Sequence, residues 1–216
     1  MTDTNNKHIQ ILYEDTSLVV ITKPGGLLSV PGRGADKQDC VTTRLQALFP
    51  KMIAQPSVHR LDMYTSGLMV VAITKEAHRH LSIQFENRSV KKEYTAVLEG
   101  KPTGASGEIQ LPFRVDLDNR PIQIHDPIHG KMGITFWQKI RCQKTRTRVK
   151  FTPITGRTHQ LRVHAAHTLG LGCPIVGDSL YGSGKDGDQM MLHASYLEFS
   201  HPDTGHVLNF TSAAPF

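Results

Sequence analysis

Three segments of the chain concentrate side chains able to do chemistry. The first, SVHRLDMYTSGLMVVA (Ser57–Ala72), sets a carboxylate, Asp62, among His59, Arg60, Thr65 and Ser66 just ahead of an apolar run. A carboxylate in such a loop is a candidate for acid–base or covalent work, and equally an ordinary turn residue. The second, KKEYTAVLEG (Lys91–Gly100), starts a strand pattern with Tyr94 after two lysines. By type alone Tyr94 is a strand aromatic. In the third, TGRTHQLRVH (Thr155–His164), Gly156 interrupts the chain ahead of a short helix, Thr158 is the expected N-cap and Arg162 lies one turn in. Alone, that arginine reads as a solvated cation.

Other features imitate chemistry. GSGKDGD (Gly182–Asp188) holds a Gly-Lys pair, but a phosphate-binding loop needs a glycine at position 179 and Ser or Thr at 186, where Ser179 and Asp186 stand. His164 and His167 share a helix face, yet no acidic or cysteine ligand accompanies them and Arg162 would repel a cation. No metal and no nucleotide cofactor are therefore expected. Trp137 falls in a strand pattern and reads as core.

The elements that must position these residues come from a chain of 216 residues, enough to bury a core without staples. With 38% hydrophobic and 20% charged residues it is not a disordered chain. No stretch approaches ~18 consecutive apolar residues, so no membrane span is expected. MTDTNNKHIQ at the start lacks the apolar region of a secretory signal. Cys40, Cys142 and Cys173 form no CxxC pair, which argues against a disulfide framework and a cysteine zinc site. A cytoplasmic, monomeric protein is the expectation, with residues 1–8 a disordered tail and 9–216 one domain.

The net charge is +6 and the pI about 9.3. Between Lys139 and Arg162 stand eight basic residues and no acidic one. Arg146, Arg148 and Lys150 alternate within a strand pattern, so they share one face. They are read as phosphate contacts, against the alternative of a charged, solvated edge strand.

Periodicity predicts strands at Ile9–Tyr13 and Ser17–Lys23 as a hairpin, then a Gly- and Pro-rich loop over Pro24–Gly34. A helix over Cys40–Phe49 follows, with Asp39 as N-cap and Pro50 as stop. Gly67–Thr74 is a continuous apolar strand, and Thr74 caps a helix running to about Arg88. Strands are expected at Glu93–Leu98, Ile109–Phe113, Ile134–Arg141, Thr147–Pro153, Met190–Phe199 and Val207–Thr211, with a short helix after Thr158 ending at His167. Strands outnumber helices and often follow one another directly. The fold class is α+β, on a mixed, largely antiparallel sheet.

Together the motifs resemble one family. HRLDMYTSGL is similar to the HRLDxxTSGL signature of pseudouridine synthases of the ribosomal large subunit synthase A type. KPGGLLSVPGR (Lys23–Arg33) resembles that family's KPxG motif, and KKEYTAV its tyrosine segment. GRTHQLRVH, PIVGDSLYG (Pro174–Gly182) and LHASYLEFSHP (Leu192–Pro202) resemble its later motifs. The order is the same over residues 10–214, so the chain is identified as a short member lacking the S4 RNA-binding domain. HAAHTLGLGCP (His164–Pro174) is longer than in near relatives, with Cys173 where His is common.

The resemblance implies the pseudouridine synthase fold and isomerisation of uridine to pseudouridine in RNA, without a cofactor. It makes Asp62 the catalytic carboxylate, Tyr94 the aromatic that stacks on the target base, and Arg162 the cation that pairs with Asp62. Lys23 supports the active-site loop. Arg60 is expected to fill the stack vacated by the base, His59 to sit at the substrate, and Leu68 and Ile154 to line the pocket. The implied partner is a stem-loop of tRNA, 23S rRNA or both. A silent RNA-binding protein would not need Asp62, Tyr94 and Arg162 together. A glycosidase would need a second carboxylate ~5–10 Å from the first, and no acidic residue lies between Asp62 and Glu76.

Overall fold

A computed structural model describes residues 8–216; the tail expected over 1–8 lies, but for residue 8, outside them. In chain order the elements are β1 (Gln10–Glu14), β2 (Leu18–Lys23), a 3-10 turn (Ala35–Lys37), α1 (Val41–Leu48), β3 (Ser66–Ala72), α2 (Lys75–Glu86), β4 (Lys91–Glu99), β5 (Ser106–Val115), β6 (Gln123–His125), β7 (Lys131–Gln143), β8 (Arg146–Pro153), α3 (Gln160–Ala166), β9 (Leu192–Ser200) and β10 (Val207–Thr211). Where the sequence shows no boundary, the chain forms two compact units. One is the chain up to Lys92 with His193–Pro215; the other is Glu93–Leu192 with Phe216. Both crossings fall inside strands, β4 and β9, which is why no linker marks them.

In the first unit β1 and β2 form the expected hairpin. The Asp15 carboxylate shapes its turn by accepting the N–H groups of Ser17 (2.7 Å) and Leu18 (2.9 Å). All seven residues of β3 are buried. This strand runs antiparallel to β2 and parallel to β9, meeting β9 only at Ser66 opposite His193 and Gly67 opposite Ala194. The TSGL and LHASYL motifs therefore touch. His193 Nδ1 lies 2.8 Å from Ser66 Oγ and its Nε2 3.0 Å from Ser212 Oγ. Gly67 has φ +113°, and a Cβ there would stand 2.3 Å from the Ala194 carbonyl oxygen.

Helix α2 packs on β3 through Ala77 and Leu81, with Thr74 Oγ1 accepting the Ala77 N–H (3.2 Å) as expected. The cap of α1 differs from expectation. Cys40 Sγ accepts from Thr43 N, while Asp39 forms an ion pair with Arg44 (2.7 Å). The charge of Asp39 is taken by the arginine, which leaves the cap to its neighbour.

The second unit is an antiparallel sheet in the order β4-β8-β7-β5-β6. Its inner face buries Ala96, Leu98, Ile109, Leu111, Trp137, Val149 and Phe151. Arg146, Arg148 and Lys150 do share the opposite face. However, β8 lies between β4 and β7, so the edge-strand alternative does not hold. Acidic partners come from the neighbouring strand: Lys150 pairs with Glu93 (3.0 Å), and Glu99 stands opposite Arg146. Arg148 donates to the Phe216 main-chain oxygen and lies over its ring (5.5 Å).

Helix α3 starts one residue later than expected, with His159 rather than Thr158 at its N-cap, in a left-handed conformation (φ 57°). The preceding turn is satisfied by a side chain instead. Gln160 Oε1 accepts from Thr155 Oγ1 (2.7 Å) and Arg157 N (3.0 Å), and its Nε2 donates to Thr135 Oγ1 (2.9 Å).

Gly67→Ala should cost about 2–6 kcal/mol, the sum of positive-φ strain and overlap with a backbone that cannot retreat. Urea unfolding should show the drop in midpoint at an unchanged m-value.

Candidate functional site

Asp62 sits half-buried on a loop without regular structure, ahead of β3. Neighbouring groups fix that loop. Lys23, the last residue of β2, is 0% exposed. Its ammonium donates to the carbonyls of Pro24 (2.9 Å), Leu27 (2.8 Å) and Met63 (2.9 Å). Gly26 N donates to the same Met63 oxygen (2.8 Å), so the KPGG and HRLDMYTSGL motifs are tied at the residue after Asp62. On the other side Ser29 Oγ donates to the Leu61 carbonyl (2.7 Å) and accepts the Leu61 N–H (3.1 Å). Asp62 thus stands between two clamped residues. Burial lowers the Lys23 pKa to about 7, and the negative charge of Asp62 opposes that fall.

His59 is turned inward. Its Nε2 accepts the Val70 N–H of β3 (3.1 Å), and its ring stacks on Phe85 of α2 (4.6 Å, 20°). Burial first, and the Lys92 charge second, push its pKa to about 3, so the ring is neutral. This ring holds the loop to β3. Arg60, next in sequence, is exposed. Leu68 is 1% exposed and belongs to the core of the first unit, which corrects its reading as a pocket wall. Position 68 lies inside a strand buried on both faces.

In the second unit Tyr94 lies on β4 opposite Phe151, on the face that carries Ala96 and Leu98. Ile154 follows β8, half-buried, and donates its N–H to Ile134 O (3.0 Å). Arg162 on α3 is 4% exposed and holds a carboxylate in a bidentate pair. Its Nε and Nη2 donate at 2.8 and 2.7 Å to Asp178 of the PIVGDSLYG motif, which is itself 0% exposed. The pairing expected from the sequence named Asp62; Asp178 is a partner it did not find. Burial pushes the Asp178 pKa up, but the Arg162 hydrogen bonds and charge and the N–H groups of Leu180 and Tyr181 outweigh it. The carboxyl is held below its ordinary range. The Tyr181 ring lies 5.2 Å from the guanidinium carbon. His164, buried and edge-on to Phe113 (5.8 Å), is pushed by burial to a pKa of about 4 and serves as core.

Ser29, Asp178 and Tyr181 were all inside quoted motifs. Their roles depend on which loops meet, and no spacing within one motif reports that.

Residues 17–167 match the family described as RNA pseudouridylate synthase. The dual-specificity RNA pseudouridine synthase RluA of Escherichia coli (strain K12) is 44% identical over 210 residues, 95% of this chain and 93% of that protein. RluA of Haemophilus influenzae is 40% identical over 213 residues, covering 97% and 94%. Among solved structures, human RNA pseudouridylate synthase domain containing 1 superposes with a TM-score of 0.77 at 28% identity, covering 97% of this chain and 85% of that one. The human domain containing 4 gives 0.74 at 28% identity, covering 95% and 88%.

The buried lysine has a signature in stability. Its pKa is depressed from 10.5 to about 7 in the folded protein. Between those values the unfolded chain binds the proton and the folded one does not, so this group adds stability as pH rises through that window. Lys23→Met should remove that rise, up to about 1.4 kcal/mol per pH unit. Urea unfolding of both proteins across the window checks it.

Proposed function

The chain belongs to the RNA pseudouridylate synthase family, and on that premise we propose that it isomerises particular uridines to pseudouridine in structured RNA. The substrate is a stem-loop of tRNA, of 23S rRNA or of both, and the enzyme works in the cytoplasm. The C1′–N1 bond of the target nucleoside breaks, the uracil turns over, C5 joins C1′, and C5 then loses a proton while N1 gains one. No electrons are gained or lost and no phosphate moves, so the reaction balances without a cofactor.

One observation carries the assignment to this chain's residues: the carboxylate of the family's signature is held between Met63 and Leu61, each anchored by a buried side chain. A reacting group needs that fixity, because effective molarity comes from geometry set before the substrate arrives. Asp62 either attacks covalently or removes the C2′ proton, and either role needs it as a charged carboxylate. Tyr94 stacks on the base and Arg162 supplies the catalytic cation. The target must leave its stack, at ~a few kcal/mol, and an exposed Arg60 guanidinium can take its place. Arg146, Arg148 and Lys150 hold backbone phosphates, exchanging their present partners for RNA.

Asp62→Asn should leave fold and RNA affinity intact and slow single-turnover release of the C5 proton by at least ~10²-fold. Turnover near wild type would remove Asp62 from its role. Mapping pseudouridines in RNA from a deletion strain identifies the target.

Changing Arg146, Arg148 and Lys150 together to Ala should flatten the slope of log affinity against log salt by about two. An unchanged slope would show that this face does not meet RNA.

A further inference from the structure

We propose that Tyr181 is a positioning residue, coupling β6 to the guanidinium of Arg162. The inference rests on the reading that Arg162 serves the isomerisation. The turn Asp178–Gly182 holds that guanidinium on two sides. The Asp178 carboxylate takes its edge in the bidentate pair, and the Tyr181 ring lies over its face. The same carboxylate accepts the N–H groups of Leu180 (2.9 Å) and Tyr181 (3.1 Å). Edge and face are therefore set by one rigid piece of backbone.

The Tyr181 hydroxyl extends this arrangement to two other segments. It accepts the Gln123 N–H of β6 (2.7 Å) and lies 2.8 Å from His159 Nδ1. A phenol can accept one of these and donate to the other. His159 precedes Arg162 by three residues and has the left-handed φ of 57°. A bulky residue keeps that conformation only when its surroundings over-determine it. The hydroxyl is one such constraint.

At its other end the tie reaches a segment made to respond. β6 has three residues and, among the described residues, pairs with β5 alone, in an excursion of the chain between β5 and β7. That excursion exposes Leu117 (61%) and Ile128 (81%) and carries the Arg114–Asp126 ion pair. A displacement of β6 pulls on the Gln123 N–H, hence on the phenol, hence on the ring that covers Arg162. RNA engaging the excursion would then be registered at the guanidinium.

Tyr181→Phe keeps the ring and removes only the hydroxyl. It should slow single-turnover isomerisation of a stem-loop RNA by about 5–20-fold while RNA affinity stays within about twofold. Exchange of the Arg162 Nε–H with solvent, followed by NMR, should accelerate by about tenfold. Gln123→Pro removes the β6 donor and nothing from the phenol. Its effect should match, and the double variant should be no worse than either single one. An unchanged rate and unchanged Nε–H protection in Tyr181→Phe, with or without a lower melting temperature, would overturn the proposal, as would multiplying effects of the two variants. If the wild-type enzyme isomerises no stem-loop but the Nε–H still responds to Tyr181→Phe, the coupling stands and the functional reading falls.

Discussion

A buried ammonium sits beneath the loop that carries Asp62, and the loop's shape depends on it. Removing a lysine from water costs several kcal/mol unless dipoles or charge replace the lost hydration. Here three carbonyl oxygens receive its N–H groups, and they belong to two different loops. Pro24, Leu27 and Met63 together offset part of that cost, and the pKa lowered to about 7 records the part that burial leaves. A demanding solvation requirement thus becomes a geometric one, and the residue after Asp62 is fixed by it. Ser29 and His59 complete the hold with neutral hydrogen bonds.

The second unit buries its cation differently. Arg162 is met by a full carboxylate, and Asp178 by two further backbone N–H groups. The two solutions leave different fields. Dipoles solvate Lys23 without cancelling its charge, so while protonated it favours a carboxylate beside it, as its interaction with Asp62 records. Arg162 is a planar donor group, and the bidentate pair fixes its orientation.

Much of this was legible in the residues. The β1–β2 hairpin, the buried strand β3 and the Thr74 cap follow from turn chemistry and periodicity, because each depends on neighbours in sequence. The misreadings share a cause. Asp39 could have capped α1, but Arg44 claimed it; Thr158 could have capped α3, but the Gln160 side chain had already satisfied that turn. β6 is too short for any periodic signal, and β8 has the alternation of an edge strand while lying inside a sheet. Among the residues quoted for chemistry, Asp62, Tyr94 and Arg162 stood out by motif. Asp178 did not, since nothing within PIVGDSLYG tells which cation it meets. Leu68 was misplaced because a strand buried on both faces leaves no wall for a ligand.

The meeting of β3 with β9 has a consequence for how the chain is made. A strand of seven buried residues has one side closed by β2, while its other side is covered at Val70–Ala72 by the segment just before it, Pro56–His59, and at Ser66 and Gly67 by a strand whose first contact lies 127 residues further along. During synthesis the Ser66–Gly67 end of that side stays open while the whole of Glu93–Leu192 leaves the ribosome. A nascent chain therefore carries a short unpaired stretch of edge through that interval, an opening for non-native pairing. It closes when His193 and Ala194 arrive.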